Sequence, residues 1–237
     1  MRSNLPLAPG PSPDEMNRSI VGLYTIGQSP RPDLTRDVAN RFDSTGFEVA
    51  GALDGLSEAE IPKCGLDGYP LETCWRDGTR VVVDVAFLET RLQRAIAERD
   101  AHVSAHLVLC AGPFPNLSAH KPLIRPFDVG VAELTGGGLG VLEIVVPFTA
   151  QAAPATAKWY AAGFSCRAHS LAEKPRDLSV PGWLMGRLSG ASADALVFDY
   201  VGFEATTVDE VSAQIDLPVI DLGQLAMDTL ERTLQEL

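Results

Sequence analysis

Short apolar runs alternate with amphipathic segments along most of this chain. The run Leu107 to Leu109 is typical of a buried strand, and the segment before it, Phe87 to Arg99, carries apolar side chains at helical spacing. Strands separated by helices pair side by side in a parallel sheet, because a right-handed crossover returns each strand to the same direction. The pattern therefore predicts an α/β protein whose parallel sheets are covered by helices.

Two strand-to-loop transitions in the chain resemble each other. An apolar run leads into Cys110 and, two residues later, Gly112; a second apolar run, Leu196 to Phe198, leads into Tyr200 and then Gly202. This similarity predicts two pseudo-symmetric Rossmann-like lobes, each with three layers around a parallel sheet, and a cleft between them. Sites in such sheets form at the carboxyl ends of the strands, so both loops are expected at the cleft.

The predicted lobe boundaries follow from a glycine-rich break at residues 136–138. The first lobe is expected to span 19–135 and the second 136–205. The C-terminal segment, 206–237, is expected to rejoin the first lobe. Residues 1–18 contain several prolines and no apolar core, which predicts a disordered N-terminal tail.

Two turns in the first lobe carry distinctive residues. The segment Gly27 to Asp33 contains two prolines, which favours a stiff loop, and Asp33 is expected to cap the helix that follows. Asp77–Gly78 separates the β-rich runs Leu71 to Trp75 and Arg80 to Val85. Because Asp and Gly tolerate the positive φ of a tight turn, these runs predict a β-hairpin.

The composition narrows the classes of partner. Of the 237 residues, 46% are hydrophobic and 21% are charged, as in ordinary globular proteins. No apolar run approaches the roughly 18 residues that a membrane span needs. The net charge of −12 argues against nucleic acid, which requires a clustered basic face. We therefore expect no nucleic-acid or membrane partner, whereas a small anionic substrate needs only a few local arginines.

The cysteines are Cys64, Cys74, Cys110 and Cys166. The sequence opens without the apolar segment of a secretory signal, so a cytoplasmic protein with reduced thiols is expected. The cysteine spacing lacks the short pairs of a structural zinc site, and no metal is expected. A disulfide is conceivable only between Cys64 and Cys74.

Cys110 is the leading candidate for chemistry. A thiolate can remove a proton next to a carbonyl group, or attack an electron-poor alkene, if the pKa of the thiol falls towards neutrality. Backbone amides of the turn at Ala111 and Gly112 would supply that stabilisation. The alternative is a structural cysteine, because this residue type is frequently buried.

The loop after the first predicted strand offers a carboxylate pocket. Arg31 supplies a bidentate fork, Gln28 and Ser29 would orient the bound group, and Gly27 lets the backbone approach it closely. The alternative is a rigid surface loop with a solvated Arg31.

The second lobe supplies weaker candidates. Tyr200 is a candidate acid, base or hydrogen-bond donor, although an unperturbed phenol with a pKa of about 10 is a poor base at neutral pH. Its alternative is a packing tyrosine at a strand end. Thr149 and Gln151 hold places that correspond to the first-lobe loop, and Val201 and Gly202 complete the predicted binding residues.

Four motifs also carry a resemblance to a known family. The segments GLYTIGQSPRPD from Gly22, the Asp77–Gly78 hairpin, LCAGPFP from Leu109 and DYVGF from Asp199 resemble the AroM family. That family is similar to the aspartate/glutamate racemase superfamily, which includes amino-acid and hydantoin racemases, maleate isomerase and arylmalonate decarboxylase. The resemblance implies two pseudo-symmetric lobes and cofactor-independent chemistry next to a carboxylate.

The chain departs from the two-base racemases of that superfamily, which carry a cysteine on each lobe. Here Tyr200 stands at the second position, which favours one-sided proton transfer by an isomerase or carbon–carbon lyase over symmetric racemisation. The hypothesis is an enzyme that acts on a small carboxylate-bearing metabolite, with Cys110 as base or nucleophile. The alternative is a non-catalytic carboxylate-binding protein that kept the cleft. A homodimer and a monomer are both compatible with the sequence.

Overall fold

The computed structural model describes residues 19–65, 68–190 and 192–237, so the predicted tail at 1–18 lies outside the described residues. The strands are β1 (Ile20–Thr25), β2 (Gly46–Gly51), β3 (Pro70–Cys74), β4 (Arg80–Asp84), β5 (Ala105–Val108), β6 (Leu123–Ile124), β7 (Val141–Val146), β8 (Ser165–Ser170), β9 (Ala195–Phe198) and β10 (Val219–Asp221). The α-helices are α1 (Pro32–Arg41), α2 (Val85–Arg99), α3 (Pro126–Gly136), α4 (Thr149–Ala161), α5 (Val180–Leu188), α6 (Ala205–Ser212) and α7 (Leu222–Glu236). Short 3₁₀ helices lie at Glu58–Glu60 and Leu171–Glu173.

Two four-stranded sheets form the framework. Their strand orders are β2-β1-β5-β6 and β10-β9-β7-β8, and every pair within them is parallel. The strands β3 and β4 form a separate antiparallel hairpin around the Asp77–Gly78 turn. The predicted α/β class with two Rossmann-like lobes is confirmed, and so is the hairpin.

The first sheet is buried on both faces, as parallel sheets require. On β1, Val21 and Leu23 pack against α1 and α7, whereas Tyr24 points to the other face and packs against Leu88 and Leu92 of α2. This division follows from the period of two along a strand. No helix among the described residues is long and apolar enough to cross a membrane.

The second sheet follows the same rule. Leu142, Ile144 and Val146 of β7 pack with Trp159 of α4, and Val145 packs on the opposite face with Trp183 of α5. Strands β7, β9 and β10 therefore have apolar contacts on both faces of the sheet. The loops that follow the strands are left at one edge of the sheet.

The C-terminal segment connects the two sheets. Its strand β10 pairs with β9 in the second sheet, whereas Ala226, Met227 and Leu230 of α7 pack with β1 and β5 of the first. Helix α3 also packs against α7. The residue boundaries assigned to the two lobes remain a prediction.

Candidate active site

A cavity of about 270 Å³ lies where strands of both sheets end. Loops that follow β1, β5, β7 and β9 reach it, and the β3–β4 hairpin forms one wall. Its lining includes Ile26, Arg31, Asp33, Leu34, Glu72, Thr73, Cys74, Arg80, Leu109, Cys110, Phe148, Tyr200 and Val201. The carboxyl ends of parallel strands are the usual place for a site in such folds, as the sequence predicts here.

A second, smaller cavity extends from this one beneath the Cys110 loop. Cys110 and Tyr200 line both cavities, and the remaining lining comes from β3 and the residue before it, from the Cys110 loop, from the end of β7, from α4 and from the loop after β9. The additional residues are Tyr69, Leu71, Ala111, Gly112, Val146, Gln151, Ala155, Lys158 and Asp199.

Cys110 follows the last hydrogen bond of β5. The Leu109 N–H donates to the Tyr24 carbonyl at 2.8 Å, so the next residue leaves the ladder and turns towards the cavity. The residue is half-buried and lines both cavities. The Gly112 N–H donates to the Cys110 Sγ at 3.3 Å.

The pKa of the Cys110 thiol reflects these surroundings. Burial raises it to about 11, because a thiolate is poorly solvated there. The Gly112 N–H and the charge of Lys158 oppose that rise, Asp199 adds to it, and Arg31 opposes it weakly. The expected amide stabilisation is present, but burial outweighs it. The thiol therefore carries its proton at neutral pH.

Two glycines of the site are fixed by close approaches. A Cβ on Gly112 would lie 2.8 Å from Leu71 Cδ1 and 3.0 Å from Phe114 Cζ. Gly202 has φ +108°, a conformation that other residues rarely adopt, and a Cβ there would lie 2.7 Å from Leu34 Cδ2. A side chain at Gly202 would therefore strain the backbone, and a methyl group at Gly112 would have to displace the side chain of Leu71 or Phe114.

Tyr200 contributes a neutral phenol to the cavity. Its ring packs edge-to-face on Phe203, with the centroids 5.5 Å apart, and the residue is half-buried. Burial raises the pKa of its hydroxyl, and the Arg31 charge opposes that effect. The hydroxyl is therefore available as a hydrogen-bond donor across the pH range of the cell.

Arg31 is the member of the first-lobe loop that faces the cavity. It is 9% exposed and its Nε donates to Asp33 Oδ1 at 2.8 Å, which raises the pKa of the guanidinium. A Cβ on Gly27 would lie 3.2 Å from Arg31 Nη1 and 2.5 Å from the Cys74 carbonyl oxygen. The predicted capping role of Asp33 is wrong: Pro32 is the first residue of α1, and the Asp33 carboxylate pairs with Arg31 instead.

Gln28 and Ser29 are directed to other partners. The Gln28 Nε2 donates to the Leu56 carbonyl at 3.3 Å, and its Oε1 accepts the Arg76 N–H at 3.1 Å. The Ser29 hydroxyl donates to Asp54 Oδ2 at 2.6 Å. These bonds brace the loop against the hairpin and against the turn after β2, so the structure does not bring the two side chains together with Cys110.

The predicted second-lobe residues also differ in whether they line a cavity. Gln151 lines the smaller cavity and Val201 the larger one. Thr149 begins α4, and its Oγ1 lies 3.2 Å from Ser170 Oγ. Ala111 contributes a carbonyl oxygen, which accepts a hydrogen bond from Lys158.

A buried ion pair beneath Cys110 has no counterpart in the sequence predictions. Lys158 Nζ lies 2.6 Å from Asp199 Oδ1 and donates to the Ala111 carbonyl at 2.7 Å, and Trp159 Nε1 donates to Asp199 Oδ2 at 2.9 Å. Both carboxylate oxygens of Asp199 are therefore engaged by side chains of α4. Helical spacing is the sequence signal that could have indicated a buried Lys158, because Ala155, Lys158 and Trp159 share the buried face of α4.

The hairpin supplies a further polar group to the larger cavity. The Thr73 Oγ1 is buried and has no hydrogen-bond partner among the described residues, although Thr73 lines the larger cavity. The hairpin also contacts the second lobe, because the Arg80 guanidinium lies 4.6 Å from the centroid of the Phe148 ring. The same guanidinium pairs with Glu72 at 2.7 Å within the hairpin. The contact with Phe148 therefore places the hairpin across the cleft.

Comparisons with known proteins identify the family and the fold relatives of this chain. A family profile described as AroM protein matches residues 21–237. The chain belongs to the AroM family. A comparison with curated protein sequences finds no match.

Solved structures similar to this AroM-family chain are enzymes of three kinds. Allantoin racemase from Klebsiella pneumoniae is 18% identical, with a TM-score of 0.59 and coverage of 92% of this chain and 88% of the racemase. The maleate isomerase Iso from Pseudomonas putida S16 is 15% identical, with a TM-score of 0.57 and coverage of 92% and 94%. An arylmalonate decarboxylase is 10% identical, with a TM-score of 0.59 and coverage of 90% and 91%. At these identities the likeness is one of fold.

Proposed function

We propose that this protein is a cofactor-independent enzyme of the racemase, isomerase or decarboxylase kind, acting next to the carboxylate of a small acid, with Cys110 as the group that exchanges the proton. The observation that carries the proposal is that Cys110 and Tyr200, on loops from different sheets, line one cavity with the cationic Arg31. A cavity of about 270 Å³ is of the size that takes a small metabolite.

The carboxylate of the substrate would bind at Arg31. Asp33 engages the Nε and Nη2 of that side chain, and Nη1 lies on its other edge, beside Gly27. A guanidinium has five donors, so a second carboxylate can be held while the first stays bound. The buried hydroxyl of Thr73 lines the same cavity and would supply a further donor.

The protonation state of Cys110 favours proton donation as its first step. The pKa of about 11 keeps the thiol protonated at neutral pH. If the substrate loses carbon dioxide, the carbon–carbon electron pair remains as an enediolate, and the Cys110 S–H gives its proton to that carbon. The resulting thiolate is reprotonated from water. In the reverse transfer, the Cys110 thiolate would remove a proton from the carbon next to the carboxylate and so act as a base.

Tyr200 would act as a hydrogen-bond donor to the developing enolate. A phenol whose pKa is raised by burial does not serve as a second base at neutral pH. One thiol and one phenol therefore favour proton transfer to one face, as in a lyase or isomerase, over symmetric racemisation.

The alternative function is a small-carboxylate binding protein without catalytic activity. The specific observation in its favour is that both Cys110 and Tyr200 hold their protons at neutral pH. A protein that only binds its ligand has no need of an ionised group in the cleft.

Hydrogen–deuterium exchange distinguishes the two functions. A panel of small carboxylic, dicarboxylic and malonic acids is incubated with the protein in D₂O, and NMR follows deuterium at the carbon next to the carboxylate and loss of carbon dioxide. We expect turnover of at least one acid by the wild type and by Cys64→Ser, and its loss in Cys110→Ser. A ligand-induced rise in melting temperature without exchange by the wild type would support the binding protein instead.

A further inference from the structure

One peptide group connects the buried ion pair to Cys110. The carbonyl oxygen of Ala111 and the N–H of Gly112 belong to the same amide. Lys158 Nζ donates to that oxygen at 2.7 Å, and the N–H donates to the Cys110 Sγ at 3.3 Å. An ammonium group, an amide and a thiol are thus joined in a chain of two hydrogen bonds.

We propose that Lys158 is a positioning residue that stabilises the thiolate form of Cys110 through the peptide group between Ala111 and Gly112. The proposal rests on the proposed role of Cys110. An ammonium at a carbonyl oxygen withdraws electron density from the amide and makes its N–H a stronger donor, since hydrogen bonds in a chain polarise one another. A hydrogen bond to an ionised acceptor gains most from this effect. The thiolate that forms when Cys110 gives up its proton is such an acceptor.

The surroundings of Lys158 hold its charge in place. Its side chain is 3% exposed, its Nζ pairs with Asp199, and the Phe127 ring centroid lies 4.5 Å away. A buried ion pair contributes little net stability, because desolvation offsets the attraction between the charges. The pair is therefore better explained by a task at the Cys110 loop than by folding alone.

Several charged and titratable groups face Cys110 from the elements around it. They are Arg31 before α1, Tyr69 before β3, Lys158 on α4, and Asp199 and Tyr200 after β9, while Cys74 lines the larger cavity. Asp199 offsets the direct field of Lys158 at the thiol, since its carboxylate raises the pKa of Cys110 where the ammonium lowers it. The hydrogen-bonded route through the amide is not offset in this way.

The test measures Cys110 ionisation separately from turnover. Alkylation rates of each cysteine are followed by mass spectrometry between pH 6 and 9.5 in the wild type, in the paired variant Lys158→Met/Asp199→Asn, and in Lys158→Arg. The paired variant removes both charges, so it leaves no unpaired ion in the core, and melting curves verify that it folds. Cys64 in the same samples serves as the reference thiol.

We expect the Cys110 rate in the paired variant to fall about two- to fourfold at each pH, because the Gly112 N–H bond stays in place and loses only the polarisation that strengthens it by about 10–30%. The Cys64 rate should stay unchanged, and Lys158→Arg should lie closer to the wild type than the paired variant does. Superimposable Cys110 profiles for the wild type and a folded paired variant would overturn the inference, whatever the exchange assay shows. If alkylation cannot reach Cys110, titration of its ¹³Cβ chemical shift decides the question by the same comparison.

Discussion

Cys110 and Tyr200 each stand two residues beyond the end of a parallel strand, and both side chains line the same cavity. Val108 ends β5 in the first sheet, and Phe198 ends β9 in the second. The internal similarity of the sequence therefore corresponds to two related positions across one cleft. The two side chains differ in acidity and in length, so a bound substrate would have a thiol on one side and a phenol on the other.

This asymmetry predicts a specific effect of Tyr200→Phe. The substitution removes a hydroxyl but keeps the ring that packs on Phe203, so the melting temperature should change little. If the hydroxyl assists proton transfer, exchange or decarboxylation should fall at least about 100-fold, the lower range for loss of an acid–base group. Phe203→Leu is the packing control, and it should lower stability more than Tyr200→Phe does. Wild-type turnover by Tyr200→Phe would assign Tyr200 to packing alone.

A substitution at Thr73 should change ligand binding without lowering the stability of the fold. Its Oγ1 is buried and has no hydrogen-bond partner among the described residues, and the same holds for Thr25 Oγ1, but of the two only Thr73 lines the larger cavity. Valine has the same shape as threonine and suits a strand, so Thr73→Val and Thr25→Val should each be neutral or slightly stabilising.

The two threonine variants should differ in carboxylate affinity. Calorimetric titration with the best acid from the exchange panel should show about ten- to a hundredfold weaker binding for Thr73→Val, because one hydrogen bond to a charged group is lost. Thr25→Val should bind like the wild type. Equal affinities in both variants would remove Thr73 from the binding pocket.

The fold was predictable because its signals are local. Alternating strand and helix patterns indicated the parallel sheets, and the Asp77–Gly78 turn indicated the hairpin. Cys110 and Tyr200 could be placed at one cleft because the carboxyl ends of parallel strands meet at one edge of a sheet. The four sequence motifs were also sufficient to assign the chain to the AroM family.

The organisation inside the site depends on contacts between distant residues. The sequence alone does not explain why a lysine, Lys158, lies on the buried face of α4. Its partner, Asp199, lies 41 residues away in sequence, and only the fold brings the two side chains together. Gln28 and Ser29 are close to Arg31 in sequence, but their hydrogen bonds to Arg76 and Asp54 turn them elsewhere. Neither arrangement has a local signature.

Close packing at Gly112 predicts a large effect of one methyl group. A Cβ there would approach Leu71 Cδ1 to 2.8 Å, so Gly112→Ala should lower the free energy of unfolding by about 1–3 kcal/mol and shift the Cys110 loop. Gly186→Ala is a matched control, because nothing lies within 4 Å of that Cβ and the residue lies inside α5. The control should gain about 0.5–1 kcal/mol. Urea unfolding measures both changes, and equal stability of the two variants would contradict the packing argument.

The raised pKa of Cys110 predicts how stability depends on pH. Burial raises the folded-state pKa of this thiol to about 11, whereas an unfolded cysteine ionises near about 8.5. Between these values the unfolded chain releases the proton and the folded chain keeps it. The contribution of the thiol is therefore fully present below about pH 8.5 and is lost as the pH rises towards 11.

Cys110→Ser removes this contribution, so its stability should decline less steeply than that of the wild type above about pH 8.5. The slopes should differ by up to about 1.4 kcal/mol per pH unit, the value for one proton. Urea unfolding at pH 7, 8, 9 and 10 measures the difference, and between pH 7 and 8 the gap between the two proteins should be nearly constant. Parallel loss of stability up to pH 10 would mean that the thiol ionises alike in the folded and unfolded chains. In that case Cys110 would be as available for ionisation as an exposed cysteine, and its role as a base would gain support over its role as a proton donor.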